Sequence, residues 1–415
     1  MITKLSAVNP VNFGKHFINV DMGASKDDVS FKIRILDEKE RFINYKEVTV
    51  FQEGDERSAE SFEKNVARLI AVFDKTNREE IIKRTSKPYE PIVTVCCPGP
   101  PVLTRDPISG EMLEANNLPN VKLDRPVIGK NISDEIARLL TEGDFEFKTG
   151  NYVQAKDTDG TGVLVLETLL KEKPALLEEG RVILHLYPGG GLANGTIRVG
   201  KDKYILEGTE KPSIFEQIIG KPRIDKDDRS AKGLLKNFCT AMNIDEKYFN
   251  ENPKVVTDYR EFKGAIQDKR FSYSKKDWQE ASWYAIDKLM DALASIAQIE
   301  ICNAKTDTIV LVGPAINGAR QAVNNLIADG FFTERYSDAA CFEDIFEDKI
   351  RKISTDIRKK LGENFKLKTE FLNVKDNTLH THKLQPSEGA EVVGRPASWY
   401  EIPKNKVGTR LDATA

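Results

Sequence analysis

The first part of the chain alternates between strand-like and helix-like hydrophobic patterns. Phe17–Val20 is a short apolar run, and residues 29–36 alternate apolar and polar side chains after a polar turn, which predicts a β-hairpin. A further strand is predicted over 47–51. Residues 58–74 place their apolar side chains on one helical face. Pro91–Val95 predicts a buried strand that ends at a Pro-Gly-Pro turn.

The same succession of patterns returns in the second part of the chain. The strand Val182–Leu186 meets a glycine-rich turn, and strand, turn and strand are again followed by helices, so two similar α/β halves are favoured. The remaining predicted elements are helices over 133–140, 160–170, 278–300, 317–328 and near 388–402, and strands over 196–199, 308–312 and 366–374.

Composition narrows the class of protein. The 415 residues carry 40% hydrophobic and 31% charged side chains, which is typical of a folded chain of about two domains. The formal net charge is −3, whereas a surface that binds nucleic acid usually has a strong excess of basic residues, so we expect no nucleic-acid partner. No run of 18 apolar residues and no apolar signal core occurs, so we expect no membrane partner. The 5 cysteines are odd in number and form no CxxC pair, which indicates neither a disulfide framework nor a zinc knuckle, so we expect a reducing, cytoplasmic setting.

The first motif with chemical potential lies at the corner of the first hairpin, in Asp21-Met22-Gly23-Ala24-Ser25-Lys26. Gly23 lets backbone N–H groups approach a phosphate, and Ser25 and Lys26 add a hydroxyl donor and a positive charge. Asp21 could hold Mg²⁺ through water, because Mg²⁺ takes few carboxylates and keeps several waters. An ordinary hairpin turn is the alternative interpretation.

Two further turns follow buried strands in the second half. Gly189, Gly190 and Gly191 could surround a phosphate chain with main-chain donors, although the spacing matches neither a P-loop nor a dinucleotide fingerprint. Gly313 and Pro314 precede a predicted helix and could seat the base and ribose of a nucleotide. A purely structural turn is an equal alternative for the glycine-rich segment.

An acidic segment precedes the predicted helix over 160–170. It reads Asp157-Thr158-Asp159, with Glu167 eight residues after Asp159. A carboxylate at a helix N-terminus is stabilised as an anion and is a common cap. The functional alternative is a general base that takes a proton from a substrate hydroxyl. In isolation the segment favours the cap.

Two other groups of reactive side chains carry weaker signals. Cys96 and Cys97 precede a proline turn, but no histidine is near them in sequence, so a buried strand end is the favoured interpretation. His380 and His382 could bind a metal, but they lack an obvious third ligand.

The order of these motifs resembles that of the actin-like ATPase sugar kinases, and among them the group named for repressors, open reading frames and kinases (ROK). The family's Asp-x-Gly-x-Thr-Lys turn is similar to residues 21–26, with Ser25 in place of Thr. Its Pro-Gly-Pro strand end resembles 98–100, its second phosphate turn 189–195 and its adenosine turn 312–315.

The resemblance also implies a sugar site. The family's Asn-Leu-Pro loop is similar to the segment at Asn117, and its Asn-Asp-x-Asn segment makes Asp159 the counterpart of the catalytic base, beside Thr158. Its Glu-x-Gly-His motif is matched loosely by Glu207 to Glu210, with Glu210 where His is expected. The zinc-binding cysteine cluster that usually follows this motif in the family is absent here, so we expect no zinc.

The fold implied by the resemblance is an α/β, two-lobed actin-like ATPase (ribonuclease H-like) fold, with a mixed sheet flanked by helices in each lobe. The N-terminal small lobe would span 1–155, completed by the C-terminal helix near 388–402, and the large lobe 156–387. The implied activity is that of an ATP- and Mg²⁺-dependent sugar kinase, glucokinase- or hexokinase-like, acting as a homodimer.

Two alternatives stay open on the same fold. One is a sugar- or nucleotide-binding regulator that has lost turnover, which the missing His and zinc cluster favour. The other is an actin-like scaffold or filament protein. A DNA-binding repressor is not expected, because only about 16 residues precede the first predicted strand and a helix-turn-helix would not fit there.

Overall fold

The computed structural model describes most of the chain in segments. They are residues 14–24, 29–37, 41–85, 89–97, 102–105, 112–115, 123–124, 132–142, 151–189, 191–208, 226–250, 252–266, 272–304, 306–332, 336, 338–352, 368–372 and 399–404.

The first half contains a five-stranded mixed sheet in the order β3-β2-β1-β4-β7. Strands β1, β2 and β3 are antiparallel neighbours, whereas β4 and β7 run parallel to β1. The predicted hairpin and the predicted strand at 91–95 are confirmed. The strands are β1 Gly14–Ala24, β2 Val29–Leu36, β3 Phe42–Thr49, β4 Tyr89–Cys97 and β7 Asn151–Lys156, and a separate hairpin joins β5 Val102–Arg105 to β6 Met112–Ala115.

Two helices, α1 Ala59–Thr85 and α2 Ile132–Glu142, cover one face of this sheet. The alternation of β1 explains why they do so. Ile18, Val20 and Met22 point to the helices and are buried there, whereas Asn19 and Asp21 belong to the opposite face. The first half therefore has an apolar face toward its helices and a polar second face.

The second half contains a six-stranded sheet in the order β12-β11-β8-β9-β10-β13. Its strands are β8 Val182–Pro188, β9 Leu192–Val199, β10 Lys203–Gly208, β11 Thr308–Val312, β12 Lys368–Leu372 and β13 Trp399–Pro403. The last of these corrects a prediction. Residues 399–403 are an edge strand antiparallel to β10, not part of a C-terminal helix near 388–402 that completes the first lobe.

Helices cover both faces of the second sheet. Helix α3, Asp157–Glu172, packs with Ile183 of β8 and Ile197 of β9 on one face. Leu184 and Leu186 of β8 belong to the larger core on the other face. That core is built by α4 Ala231–Met242, α5 Lys254–Thr257, α6 Tyr259–Ala265, α7 Lys275–Ala304, α8 Pro314–Ala328 and α9 Phe342–Lys352.

Each half is thus a mixed sheet flanked by helices, as the sequence predicted. Short 3₁₀ helices occur at 174–177, 226–229 and 246–249. None of the helices in the described segments combines the length and the apolar composition needed to cross a lipid bilayer.

Candidate functional site

Asp21 lies near the C-terminal end of β1. Its neighbours in register are Lys32 of β2 and Cys96 of β4, and its side chain is half-buried. Strands β1, β4 and β7 are parallel, so they end at the same edge of the sheet. Ligands of open α/β sheets bind outside the carboxyl ends of such strands. Asp21 therefore occupies the edge at which a ligand is expected.

Helix α3 begins at this same edge. Lys156 is the last residue of β7, and Asp157 is the first residue of α3. Asp159 is therefore the third residue of the helix, within its first turn, and does not occupy the N-cap position that the sequence favoured. The first turn of a helix is the positive end of its dipole, which stabilises an anion.

Helix α3 then packs against the second sheet through a glycine. A Cβ atom at Gly162 would lie 3.1 Å from Leu206 Cδ2 and 3.3 Å from His185 Nε2. Residues 173–181 turn the chain back into β8, so α3 and β8 run in opposite directions. Only a residue without a side chain allows the helix to approach β8 and β10 so closely.

This packing brings the first turn of α3 to the C-terminal end of β8. From Gly162 back to Asp159, the helix rises by about 4.5 Å. From His185 forward to Tyr187, the strand rises by about 6.6 Å in the same direction. Asp159 and Tyr187 therefore stand at a similar height above the sheet, and α3 links the edge at Asp21 to the end of β8.

The ring of Tyr187 lies between the two predicted nucleotide turns. A Cβ at Gly189 would lie 3.4 Å from its Cε1 atom, and a Cβ at Gly313 would lie 3.1 Å from its Cε2 atom. Gly313 has φ +105°, a conformation that favours glycine, and Pro314 begins α8. The structure thus brings the turn that contains Gly189 and Gly191 close to the turn at 313–314. The ring of Tyr187 also lies against the positions that side chains at Gly189 and Gly313 would occupy.

The glycine-rich corner is also tied to helix α4. Gly189 N–H donates to the Gly191 carbonyl at 2.7 Å, and the Gly189 carbonyl accepts from Ala231 N–H at 2.8 Å. Ser230 caps α4 by accepting from Gly233 N–H at 3.0 Å. Sequence reasoning missed this connection, because residues 221–275 lack a long periodic pattern.

His185 lies beneath Gly162 and is 2% exposed. Burial lowers the pKa of its imidazole to about 4, so the ring is neutral at pH 7. Its Nδ1 atom has no hydrogen-bond partner among the described residues. His185 is therefore a neutral member of the seam between α3 and the second sheet, which is formed by Gly162, His185 and Leu206.

Glu207 lies on the other face of the second sheet. Its neighbour Leu206 faces Gly162 of α3, so Glu207 points away from α3. Its carboxylate is 3.5 Å from Arg198 Nε and accepts from Thr196 at 3.4 Å. Burial and the charge of Glu207 raise the pKa of the nearby Glu300 carboxyl. The structure does not bring Glu207 together with the first turn of α3.

Several predicted residues lie outside the described segments, so their predicted roles stay predictions. They are Ser25, Lys26, Pro98–Pro100, Asn117, Gly190, Glu210, His380 and His382. Within the described part of the chain, no group of three or more His, Cys, Asp or Glu side chains is arranged to hold a metal ion. The Mg²⁺ prediction accordingly depends on Asp21.

Comparison with known proteins supports the fold. No family model and no curated protein sequence matches the chain. A glucokinase from Balamuthia mandrillaris in complex with glucose superposes with a TM-score of 0.51 at 14% identity, covering 93% of this chain and 95% of that one. A ROK family glucokinase from Streptomyces griseus in complex with glucose and AMPPNP gives 0.44 at 12% identity, over 76% and 88% of the chains. A ROK family transcriptional regulator, a homolog of the E. coli MLC protein, gives 0.47 at 11% identity, over 91% and 78%. The likeness to the Balamuthia enzyme confirms the predicted fold class: this chain has the two-lobed actin-like ATPase fold.

Proposed function

We propose that this chain is an ATP-dependent sugar kinase of the glucokinase or hexokinase type. The observation that carries the proposal is the position of the first turn of α3. It adjoins the sheet edge at Asp21 and, through the seam at Gly162, stands level with Tyr187 between two glycine turns. A carboxylate at that point would lie next to the proposed nucleotide turns, and the proposal assigns the acceptor sugar to its other side. A division into lobes near residue 155, a homodimer and a cytoplasmic location accompany the proposal as predictions.

In this proposal Asp159 is the general base. It accepts the proton of a sugar hydroxyl while that oxygen bonds to the γ-phosphorus of ATP and the bond to the β–γ bridging oxygen breaks, releasing ADP. The rest of the site positions and neutralises the reactants. Phosphate contacts are assigned to Gly23, Ser25, Lys26 and Gly189–Gly191, adenosine contacts to Gly313 and Pro314, and sugar contacts to Asn117, Thr158 and Glu210.

Asp21 suits a magnesium site because of its position and its chemistry. Mg²⁺ is held in kinase sites by one or two carboxylates together with substrate phosphates and water. A half-buried carboxylate at the carboxyl end of β1 satisfies that donor requirement. A bound Mg²⁺ would neutralise charge on the phosphate oxygens.

The position of Glu207 favours a second candidate function, a regulator with weakened catalysis. Its carboxylate is paired with Arg198 on the sheet face that does not carry α3, so we leave Glu207 out of the proposed sugar site. With Thr158 where the resembled family has Asn, two polar groups of the sugar site would differ. A chain that still binds nucleotide but transfers no phosphate would fit this second function.

A coupled assay of ADP release tests the proposal, with a panel of hexoses and N-acetylated amino sugars. We expect sugar-dependent ADP release, and we expect Asp159→Asn to lower turnover at least about 10²-fold, which is the usual contribution of a general base. ATP affinity should remain unchanged. Asp157→Asn is the matched control, because it removes a carboxylate from the same helical turn.

The outcomes separate the two functions. Near-normal turnover of Asp159→Asn would remove this residue from its role. ATP binding without turnover on any sugar would favour the regulator, and a chain that neither binds nor hydrolyses ATP would exclude both.

A further inference from the structure

The side chain of Tyr187 lies on the face of the sheet that α3 covers. Tyr187 directly precedes the glycine-rich corner, which begins at Pro188. The two long edges of its ring contact different turns. Atoms Cδ1 and Cε1 lie 3.8 and 3.4 Å from the position of a Cβ at Gly189, and Cδ2 and Cε2 lie 3.3 and 3.1 Å from that at Gly313. The ring is thus held between two backbone segments that are far apart in sequence.

Each of the two turns is fixed to a different helix on its other side. The Gly189 carbonyl accepts from Ala231 N–H at the start of α4 at 2.8 Å, and the Gly313 carbonyl accepts from Asn317 N–H in α8 at 3.0 Å. The ring of Tyr187 joins these two anchored turns directly. It is rigid, because an aromatic side chain has only two rotatable bonds.

From this geometry we infer that Tyr187 is a positioning residue that fixes the spacing of the glycine-rich turn and the Gly313 turn for a nucleoside triphosphate. The inference rests on the proposed function and deepens it, because it names a residue outside the predicted motifs. A nucleotide that contacts both turns needs both at a set distance. Without the ring, each turn keeps its own helix anchor but loses its contact with the other.

The consequence for catalysis is selective. A shift of about 1 Å in a positioned reactant can cost about 10²-fold in rate. We therefore expect the loss of the ring to raise the KM for ATP and to lower kcat/KM for ATP by up to about 10²-fold. The KM for the sugar should stay unchanged, because the sugar contacts are assigned to other segments.

The first experiment needs no ligand. Amide hydrogen exchange is measured on the full chain for Gly189, Ala231 and Asn317, whose N–H groups donate at the two turns. In Tyr187→Ala we expect faster exchange at all three amides, and wild-type exchange in Tyr187→Phe, which keeps both ring edges. Tyr187→Leu keeps apolar bulk without a planar ring and serves if the alanine variant does not fold. We expect it to accelerate exchange as well.

Tyr204→Ala is the matched control. Tyr204 belongs to the same apolar cluster on the α3 face and is more buried than Tyr187, but it lies on β10 away from both turns. A purely structural role for Tyr187 would make Tyr204→Ala at least as disruptive at the three amides. We expect Tyr204→Ala to lower overall stability and to leave their exchange relative to the core unchanged.

The second experiment is steady-state kinetics with ATP and sugar varied separately. A raised KM for ATP, an unchanged KM for sugar and recovery in Tyr187→Phe are the expected results. Unchanged exchange in Tyr187→Ala, or tighter ATP binding by that variant, would overturn the inference. A third outcome separates the two proposals: neither the wild type nor any variant binds ATP, but Tyr187→Ala still exchanges faster at the three amides. The proposed function then fails, and the nucleotide role of Tyr187 fails with it, while its contact between the two turns stands.

Discussion

The two sheets of this molecule share one strand order and one set of directions, except that the second sheet has the additional edge strand β13. In the first sheet, three antiparallel strands, β3-β2-β1, are followed by β4 and β7, which run parallel to β1. The second sheet repeats this arrangement with β10-β9-β8 followed by β11 and β12. The corners correspond as well. Asp21 lies three residues before Ala24, the last paired residue of β1, and His185 lies three residues before Pro188, the last of β8.

These equivalent positions have opposite environments. Both side chains lie on the sheet face turned away from the helix that joins the third and fourth strands of their half, α1 or α7. In the second half α3 covers that face, so His185 is 2% exposed and neutral. Asp21 is half-buried. One topology therefore gives a half-buried carboxylate in one half and a buried, neutral histidine beneath α3 in the other.

The two halves also differ in how they bury a histidine. In the first half, His16 Nε2 lies 2.9 Å from Asp74 Oδ1, and both side chains are fully buried. In the second half, His185 is buried beneath Gly162 of α3, and burial alone lowers the pKa of its imidazole. The buried carboxylate in the first half should matter more for stability than the buried imidazole in the second.

The largest expected effect is therefore that of Asp74→Ala. The change removes a buried carboxylate that faces both His16 and Arg78, the latter at 3.9 Å. Breaking a buried pair in this way costs about 3 kcal/mol of unfolding free energy. Urea unfolding at pH 7 measures it. Asp74→Asn keeps the size and one acceptor oxygen, so it should lower the unfolding free energy less. A loss below about 1 kcal/mol for Asp74→Ala would show that the pair contributes no more than an exposed ion pair.

The next effect is a pH dependence from His185. Its pKa is about 4 in the folded chain, below the ordinary value of 6.5, so the unfolded state binds a proton first as the pH falls. Both states are neutral above pH 6.5, and stability is lost between about 6.5 and 4. The expected loss from this group between pH 7 and pH 5 is about 2 kcal/mol.

His185→Leu isolates that contribution. Leucine has no proton to bind and no buried polar atom, so the variant should lie within about 1 kcal/mol of the wild type at pH 7. Its unfolding free energy should fall less than that of the wild type on going to pH 5. Equal losses in both proteins would show that His185 does not titrate in this range.

The comparison of halves also shows what the sequence could predict. Strands β8 and β11 were predictable because each is an apolar run followed directly by glycine or proline, and the repeated order of strands and turns pointed to two halves. The positions of Asp21, Gly189 and Gly313 at strand ends followed from the same signals. These features are local, so a single sequence carries them.

Features that depend on distant contacts were not predictable. Glu207 belongs to a suggestive motif, but its strand pairing with β9 turns it toward Arg198 and away from α3. The sequence assigns no role to residues 221–275, because the helices described within this segment are short. The ring centroids of Phe238 and Phe262 nevertheless lie 5.6 Å apart in the core of the second half. The charged stretch over 347–359 has the composition of a solvated helix face, yet α9 buries Lys349 between Asp287 and Asp291 of α7.

The smallest effect tests the seam that separates the two environments. In a helix, Gly→Ala gains up to about 1 kcal/mol from propensity. At Gly162 the added Cβ would meet Leu206 and His185 at 3.1 and 3.3 Å, and crowding of that kind typically costs about 1–3 kcal/mol. The expected net result for Gly162→Ala is a loss of about 1 kcal/mol in unfolding free energy.

Gly264→Ala in α6 is the matched control, because nothing lies within 4 Å of a Cβ at that position. It should gain the helix term without the crowding and stabilise the chain. The sign of the difference between the two variants therefore reports how closely α3 approaches β8. If Gly162→Ala were stabilising as well, α3 would have room to move off the sheet. The face around His185 would then be as accessible as the one around Asp21, and the contrast between the halves would disappear.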